Sequence, residues 1–403
     1  MVSNWMKKNI VLCTRANNIF RIIKIKVIKI NTLLQFVGRI INMKLVEVKD
    51  KREQRRFIEF RRKIYKQNPL YVDNNLFMIK EVFARKTSFI NNKKIFAINV
   101  EEKNEIVCQG IIVYAKDLKE YIQLCFFESL PNKEKAVKLL VDKAIELGKT
   151  FKCKKLVIGL NGHVNYGLGF LASHFDTKNS FSASVNPEYY NTYFKDLKCE
   201  EILLNTYKIN VIDNRLNKFK SIINKLDKNY TFKFFDKKQF EYFAKIYTDL
   251  NNSTFINHRY YYKRNYQEDI EMLKELFLFM KENSLIFAFD GKKPVGFIMW
   301  YPDFNELVKQ GDYFGAKHFF KNLVFNKRIK KIKVMEYGIL DEYRKTGLPV
   351  MLLNEIFEVV KNRNFTNVET SWILEENKDS NSVCKAVCDG LYKRYVVYEK
   401  KIK

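Results

Sequence analysis

The chain has 403 residues, 47% of them hydrophobic and 15% aromatic, which excludes a disordered polymer and suffices for two or three folded units. Its formal net charge of +28, from 73 Lys plus Arg against 45 Asp plus Glu, is attractive to polyanions. The lysines are spread along the whole chain together with Asn, Ile and Tyr, however, so the charge follows a general bias and a nucleic-acid partner is not favoured.

Residues 1–42 contain no acidic residue, and Lys or Arg interrupts every apolar run, so the segment is too broken to span a membrane and lacks the apolar region of a signal peptide. It reads as a basic extension outside the fold. From Met43 the chain reads as a first strand, followed by an amphipathic helix over residues 53–66 that ends before Asn68-Pro69. KIFAINV and IVCQGIIVYA form a hairpin, YIQLCFFESL a third strand, PNKEKAVKLLVDKAIELGK a helix and KKLVIGL a further strand. After NPEYYNTYF, EILLNTYKINV and charged helical segments, the order repeats. LIFAFDGKKPVGFIMWYP is a hairpin turning at Asp290-Gly291. IKVMEYGIL is a strand, GLPVMLLNEIFEVVKNRN a helix, TNVETSWIL a strand, NSVCKAVCDG a short helix and YKRYVVYEKK a closing strand. The reading is therefore an α/β protein of two tandem units, residues 43–205 and 206–403, each a mixed, mainly antiparallel sheet flanked by helices.

Seven scattered cysteines, an odd number without dense spacing, point to a reducing, cytoplasmic setting. Cys384 and Cys388 are close together, but no histidines are spaced to complete a metal site with them, so no metal is expected.

Between the strand ending in Tyr337-Gly338-Ile339-Leu340 and the helix that follows lies Arg344-Lys345-Thr346-Gly347. Amides at a helix start attract phosphate, Gly347 permits close approach or positive φ, and two basic side chains add charge. The alternative is an ordinary helix start, with Thr346 as cap, Gly347 at the first helical position and Pro349 in the first turn.

With this turn in its strand–helix context, the second unit resembles the GCN5-related N-acetyltransferase (GNAT) superfamily, whose pattern is Arg or Gln, two residues, Gly, one residue, Gly or Ala. Arg344 and Gly347 match; Pro349 departs and removes one amide. Five further segments are similar to long bacterial tandem proteins of that superfamily: RRKIYKQNPLYV (61–72), NYGLGFLASHFD (165–176), NPEYY (186–190), SWILEEN (371–377) and YKRYVVYEK (392–400). The likeness runs over roughly 43–400. It implies an acyl-CoA co-substrate, acetyl-CoA or a longer one, and an acceptor amine on a small molecule or peptide. It also implies a CoA site at Gly338, Leu340, Arg344, Lys345, Thr346, Gly347 and Leu348, with Asn377 and Asn381 downstream.

The resemblance implies that the Ile339 amide polarises the thioester. Glu336 is the candidate base, with Glu375 as its rival, and Tyr392 the candidate acid, although counting from Asn381 lands on Cys388 and Asp389. By period-two spacing Glu336 and Gly338 share one strand face, Tyr337 and Ile339 the other. The first unit has Glu134 where phosphate would dock and no glycine turn, so it reads as a degenerate copy. His163, Asn165, Tyr166 and His174 either line a substrate cleft or form a packing loop; Tyr190 and Tyr193 either meet a ligand or staple the units. Two other functions fit the same residues: a non-catalytic tandem scaffold, or an aminoacyl-tRNA-dependent transferase.

Overall fold

The computed structural model describes residues 43–211, 215–226, 230–363 and 365–403. The basic segment 1–42 lies outside the described residues. The first half consists of β1 (Met43–Glu47), α1 (Lys51–Tyr65), α2 (Leu76–Ala84), β2 (Lys93–Glu102), β3 (Glu105–Ala115), β4 (Tyr121–Ser129), α3 (Glu134–Thr150), β5 (Lys155–Ile158), β6 (Phe170–Leu171), α4 (Tyr189–Asp196) and β7 (Glu200–Asn210). The second consists of α5 (Lys220–Leu226), β8 (Thr231–Phe234), α6 (Phe240–Thr254), α7 (Tyr266–Leu276), β9 (Leu285–Asp290), β10 (Lys293–Pro302), α8 (Ala316–Phe325), β11 (Lys331–Ile339), α9 (Leu348–Lys361), β12 (Asn367–Thr370), β13 (Ile373–Leu374), α10 (Lys378–Val387) and β14 (Gly390–Lys401).

Local chemistry sets these elements. The Asp50 carboxylate accepts the amides of Arg52 and Glu53 at 2.8 Å each and so starts α1. Alternation along β2 and β3 then feeds two cores. Ile98, Val100, Cys108 and Ile112 meet Val137, Leu140 and Val141 of α3 on one face. Ala97, Ile111 and Val113 meet Phe57 of α1 and Ile79 and Val82 of α2 on the other. Both faces of the sheet are therefore covered. The β9–β10 hairpin turns through Asp290-Gly291 as its sequence requires, with Gly291 at φ +57°.

The strands form one continuous sheet in the order β1-β2-β3-β4-β5-β14-β7-β12-β11-β10-β9-β8. The order is palindromic. Its two sides are related by exchanging β1 with β8, β4 with β11, β5 with β12 and β7 with β14. The closing strands have changed places: β14, from the end of the chain, pairs with β5 of the first half, and β7 pairs with β12 of the second. Residues read as connection, EILLNTYKINV, are thus a central strand, and residue 205 lies inside it. β7 and β14 pair with each other antiparallel from Gly390↔Lys208 to Glu399↔Glu200, which joins the two sheets edge to edge.

A chain ended at Asp389 loses the partner that β5, β6 and β7 share. We expect it to lack a cooperative thermal transition by circular dichroism, where residues 43–403 melt cooperatively. Retention of a sharp transition in the shortened chain would show that the halves close independently.

Candidate active site at the gap between β11 and β12

β11 and β12 run parallel only from Lys331↔Asn367 to Val334↔Thr370, and the last bond between them is Ser371 N–H to the Val334 carbonyl, 2.8 Å. Beyond it β12 turns away into β13, which pairs with β7, while β11 continues along β10. A bulge at Met335 lies where the strands part: Glu336 pairs with Met299, but Trp300 pairs with Val334. The Leu340 amide donates to Val295 on β10, 3.0 Å. By alternation the amides of Gly338 and Glu336 also face β10, and those of Tyr337 and Ile339 face the gap.

The first half has the same gap. β4 and β5 are parallel from Tyr121↔Lys155 to Leu124↔Ile158, Gly159 N–H closes on the Leu124 carbonyl, and Leu130 N–H donates to Val107 as Leu340 does to Val295. Ser129 therefore corresponds to Ile339. In this half the gap is filled. The Ser129 amide donates to the Tyr190 hydroxyl, 2.8 Å, and the Tyr193 hydroxyl both donates to the Leu130 carbonyl and accepts the Lys133 amide at the start of α3. Phe127, Phe170 and Phe194 pack around these rings. Tyr190 and Tyr193 close the first half's own gap. On the corresponding helix α10, Ser380, Val383, Cys384 and Val387 are small, and a cavity of about 150 Å³ remains.

That cavity passes through the sheet. On one side are Leu353, Ile356 and Phe357 of α9 with the small residues of α10; on the other are Phe255, His258, Tyr261, Val164 and Asn165. Glu336 faces the second side, as period-two spacing predicts. Its carboxylate accepts from Asn165 Nδ2 (2.6 Å), Asn251 Nδ2 (2.6 Å) and the Tyr247 hydroxyl (2.7 Å). Arg264 Nη2 donates to the Tyr247 oxygen (3.1 Å) and pairs with Asp269 (2.8 Å), both charged groups fully buried. Burial raises the Glu336 pKa, while Arg264 and the hydrogen bonds pull the other way. Gly338 on the same face is dictated by packing, because a Cβ there would stand 2.5 Å from Thr254 Oγ1 and 2.6 Å from Phe297.

Tyr337 points to the opposite face. Its hydroxyl is buried in the cavity wall without a hydrogen-bond partner, as is Ser371 Oγ across the gap.

At the helix start Gly347, not Thr346, is the cap, at φ +84°, with Leu348 and Pro349 inside the first turn of α9. The Thr346 hydroxyl is committed to the Tyr343 carbonyl and accepts from Tyr230. The amides of Lys345, Gly347 and Leu348 have no backbone acceptor among the described residues. Arg344 bends back to the Ile339 and Thr254 carbonyls and to Asp341, whereas Lys345 is exposed.

Asn377 caps α10 through the Ser380 amide and borders the cavity. Asn381 is spent internally: it donates to the Leu374 and Asn377 carbonyls and accepts from Tyr207 and Asn205, tying α10 to β7. Tyr392 is not brought to the gap; its ring packs beside His174 and under Lys208 and Lys393. Glu375 pairs with Arg394 at 3.8 Å. Of the glycine loop, Asn165 reaches Glu336. His163 is buried against Tyr261 and Tyr262, and Tyr166 packs on Phe89. Sequence reading missed Tyr247, Asn251 and Arg264. The first two were accessible as polar residues four apart on the apolar face of α6. No group of metal-binding side chains occurs among the described residues, and no helix there is long and apolar enough to cross a membrane.

No protein-family model matches the chain. Protein YghO of Escherichia coli K12 is 25% identical over 192 residues, 45% of this chain and 49% of YghO, so the match spans about half of each. A tandem GNAT protein from the clavulanic acid biosynthesis pathway superposes over 90% of this chain and 99% of its own, with TM-score 0.52 and 10% identity. The chain has the tandem GNAT fold. A GCN5-related N-acetyltransferase from Sphaerobacter thermophilus (90% and 96% covered, TM-score 0.50, 10% identity) has the same GNAT architecture. So does the glucosamine N-acetyltransferase region of a fungal β-N-acetylglucosaminidase (89% and 38%, 0.56, 11%). In GNAT terms the first half is a plugged unit and the second an open one.

Tyr190→Phe removes the hydroxyl that accepts the Ser129 amide and donates to Glu128. Leaving those buried groups unpaired should cost about 1–3 kcal/mol, read as a lower urea midpoint with unchanged m-value.

Proposed function

We propose that the protein is an acyl-CoA-dependent N-acyltransferase of the cytoplasm, with acetyl-CoA as the simplest donor and the second half as its active unit. The observation that carries this reading is the contrast between the halves: the strand gap closed by tyrosine hydroxyls in the first is open in the second, with unpaired amides on one strand edge and a buried carboxylate beside it. The same contrast favours an enzyme over a scaffold, because a purely structural second copy has no need of an open gap.

The amides of Gly347 and Leu348 and the Thr346 turn would receive the pyrophosphate, with Lys345 free to add charge and Arg344 able to swing from Asp341. Of Gly338, Ile339 and Leu340, Ile339 is the one whose backbone groups face the gap and would meet the pantetheine arm opposite Asn377, since the Gly338 and Leu340 amides face β10; Asn381 keeps α10 at the right distance. The Ile339 amide, in the place of the liganded Ser129 amide, would polarise the thioester carbonyl. Glu336 takes the proton of the attacking amine. As the new C–N bond forms and the C–S bond breaks, the unpaired Tyr337 hydroxyl is placed to protonate the departing sulfur, a better-located donor than Tyr392.

Calorimetry with CoA tests the turn. Gly347→Val forces a β-branched residue into positive φ and should weaken binding by roughly tenfold or more. Pro349→Gly restores an amide and should tighten it. Equal CoA affinity in all three folded proteins would end this reading.

The base is tested by pH. Because burial raises the Glu336 pKa, the rate should climb with pH through one ionisation above the ordinary carboxylate range. Glu336→Gln should remove that limb and lower turnover by about 10²–10⁴-fold.

A further inference from the structure

The charges around the cavity do not balance. Arg264 stands between two carboxylates: it forms an ion pair with Asp269, and through Tyr247 it faces Glu336. With both carboxylates ionised, one cation against two anions leaves one negative charge. The next layer does not supply the missing cation, because Lys93 is matched by Glu268. Burial keeps both neighbouring imidazoles, His163 and His258, neutral. Glu336 is the member of this cluster that borders the cavity, and among the residues lining the cavity it is the single charged one. Among the described residues no Arg or Lys lines it. Around Glu336 the wall is formed by Phe255, Tyr261 and His258, rings whose faces favour a cation and whose bodies favour an apolar frame.

From this we infer the acceptor class: a primary amine that arrives as an ammonium ion on an aromatic or alkyl body, with no carboxylate or phosphate next to the amine. The ammonium supplies the missing positive charge and gives one proton to Glu336 to become the free amine; its second proton, released as the C–N bond forms, goes back to the Tyr337 oxygen that has protonated the departing sulfur, and Glu336 returns its proton to solvent. An α-amino acid would bring a second anion beside Glu336 with no Arg or Lys on the cavity wall to receive it, and burying that charge unpaired is costly. This inference rests on the acyltransferase reading for its chemistry, but its recognition step can be measured alone.

Phenethylamine, phenylalanine and 3-phenylpropionate share a ring and differ in charge. Each is titrated by calorimetry into the full chain with CoA present, and again into Glu336→Gln, a substitution that preserves side-chain shape. Phenethylamine should bind; phenylalanine and phenylpropionate should bind at least about tenfold more weakly, and Glu336→Gln should weaken phenethylamine by at least about tenfold. Phenylalanine or phenylpropionate binding as well as phenethylamine, no binding of phenethylamine to the wild-type chain, or equal phenethylamine affinity in folded Glu336→Gln would overturn the inference. CoA is titrated separately. Failure of CoA to bind would sink the acyltransferase reading while leaving the amine preference to stand or fall on a repeat of the three titrations without it.

Discussion

The antiparallel pairing of β7 with β14 is the constraint on which the rest of the molecule depends. Each strand closes the opposite half's sheet, so neither half has a complete edge without the other. The exchange also fixes the position of the glycine loop at residues 162–169. β6, just after it, is pinned to β14, and the loop thereby carries Asn165 across to Glu336. A carboxylate on the second half's strand is thus held in part by the first half's side chain. The plugged unit thereby contributes a side chain to the open one.

Within that frame the two gaps are an internal comparison made by one chain. Both begin where a parallel pair runs out, both have a bulge at that point, and both turn equivalent amides into the space. What differs is side-chain volume on one helix. Tyr189, Tyr190, Tyr193 and Phe194 fill the first; Ser380, Val383, Cys384 and Val387 leave the second hollow. Phe127 has become Tyr337, adding a hydroxyl that packing alone does not need. On the opposite face the buried Arg264–Asp269 pair holds Tyr247, and Tyr247 with Asn251 and Asn165 holds Glu336. The carboxylate is oriented from three directions.

Much of this was legible from residue order, because it is local. The hairpins, the strand–turn–helix at 337–361 and the positive φ open to Gly347 follow from periodicity and turn chemistry. The face shared by Glu336 and Gly338 followed from strand alternation. The exchange of β7 and β14 was not legible, since two strands of similar pattern do not state which edge each will join. The surroundings of Asn381 and Tyr392 were not legible for a related reason: counting residues along a motif ignores what the neighbouring strand offers. Tyr207 and Asn205 on β7 take up Asn381, and β14 carries Tyr392 toward His174.

The strand exchange also sets a timetable. β14 is synthesised after every other strand of the sheet, yet it completes the first half, whose β5 is made more than half a chain earlier. At 5–20 residues per second, β5 waits on the order of ten seconds or more beside the ribosome with an open edge. Folding of the first half therefore cannot finish until β14 has been made, and the two halves must reach their native state together. A burst of synthesis that crowds nascent chains would expose many such edges at once. Yield in a host should then depend on translation rate and chaperone supply more than on the final stability of the folded protein.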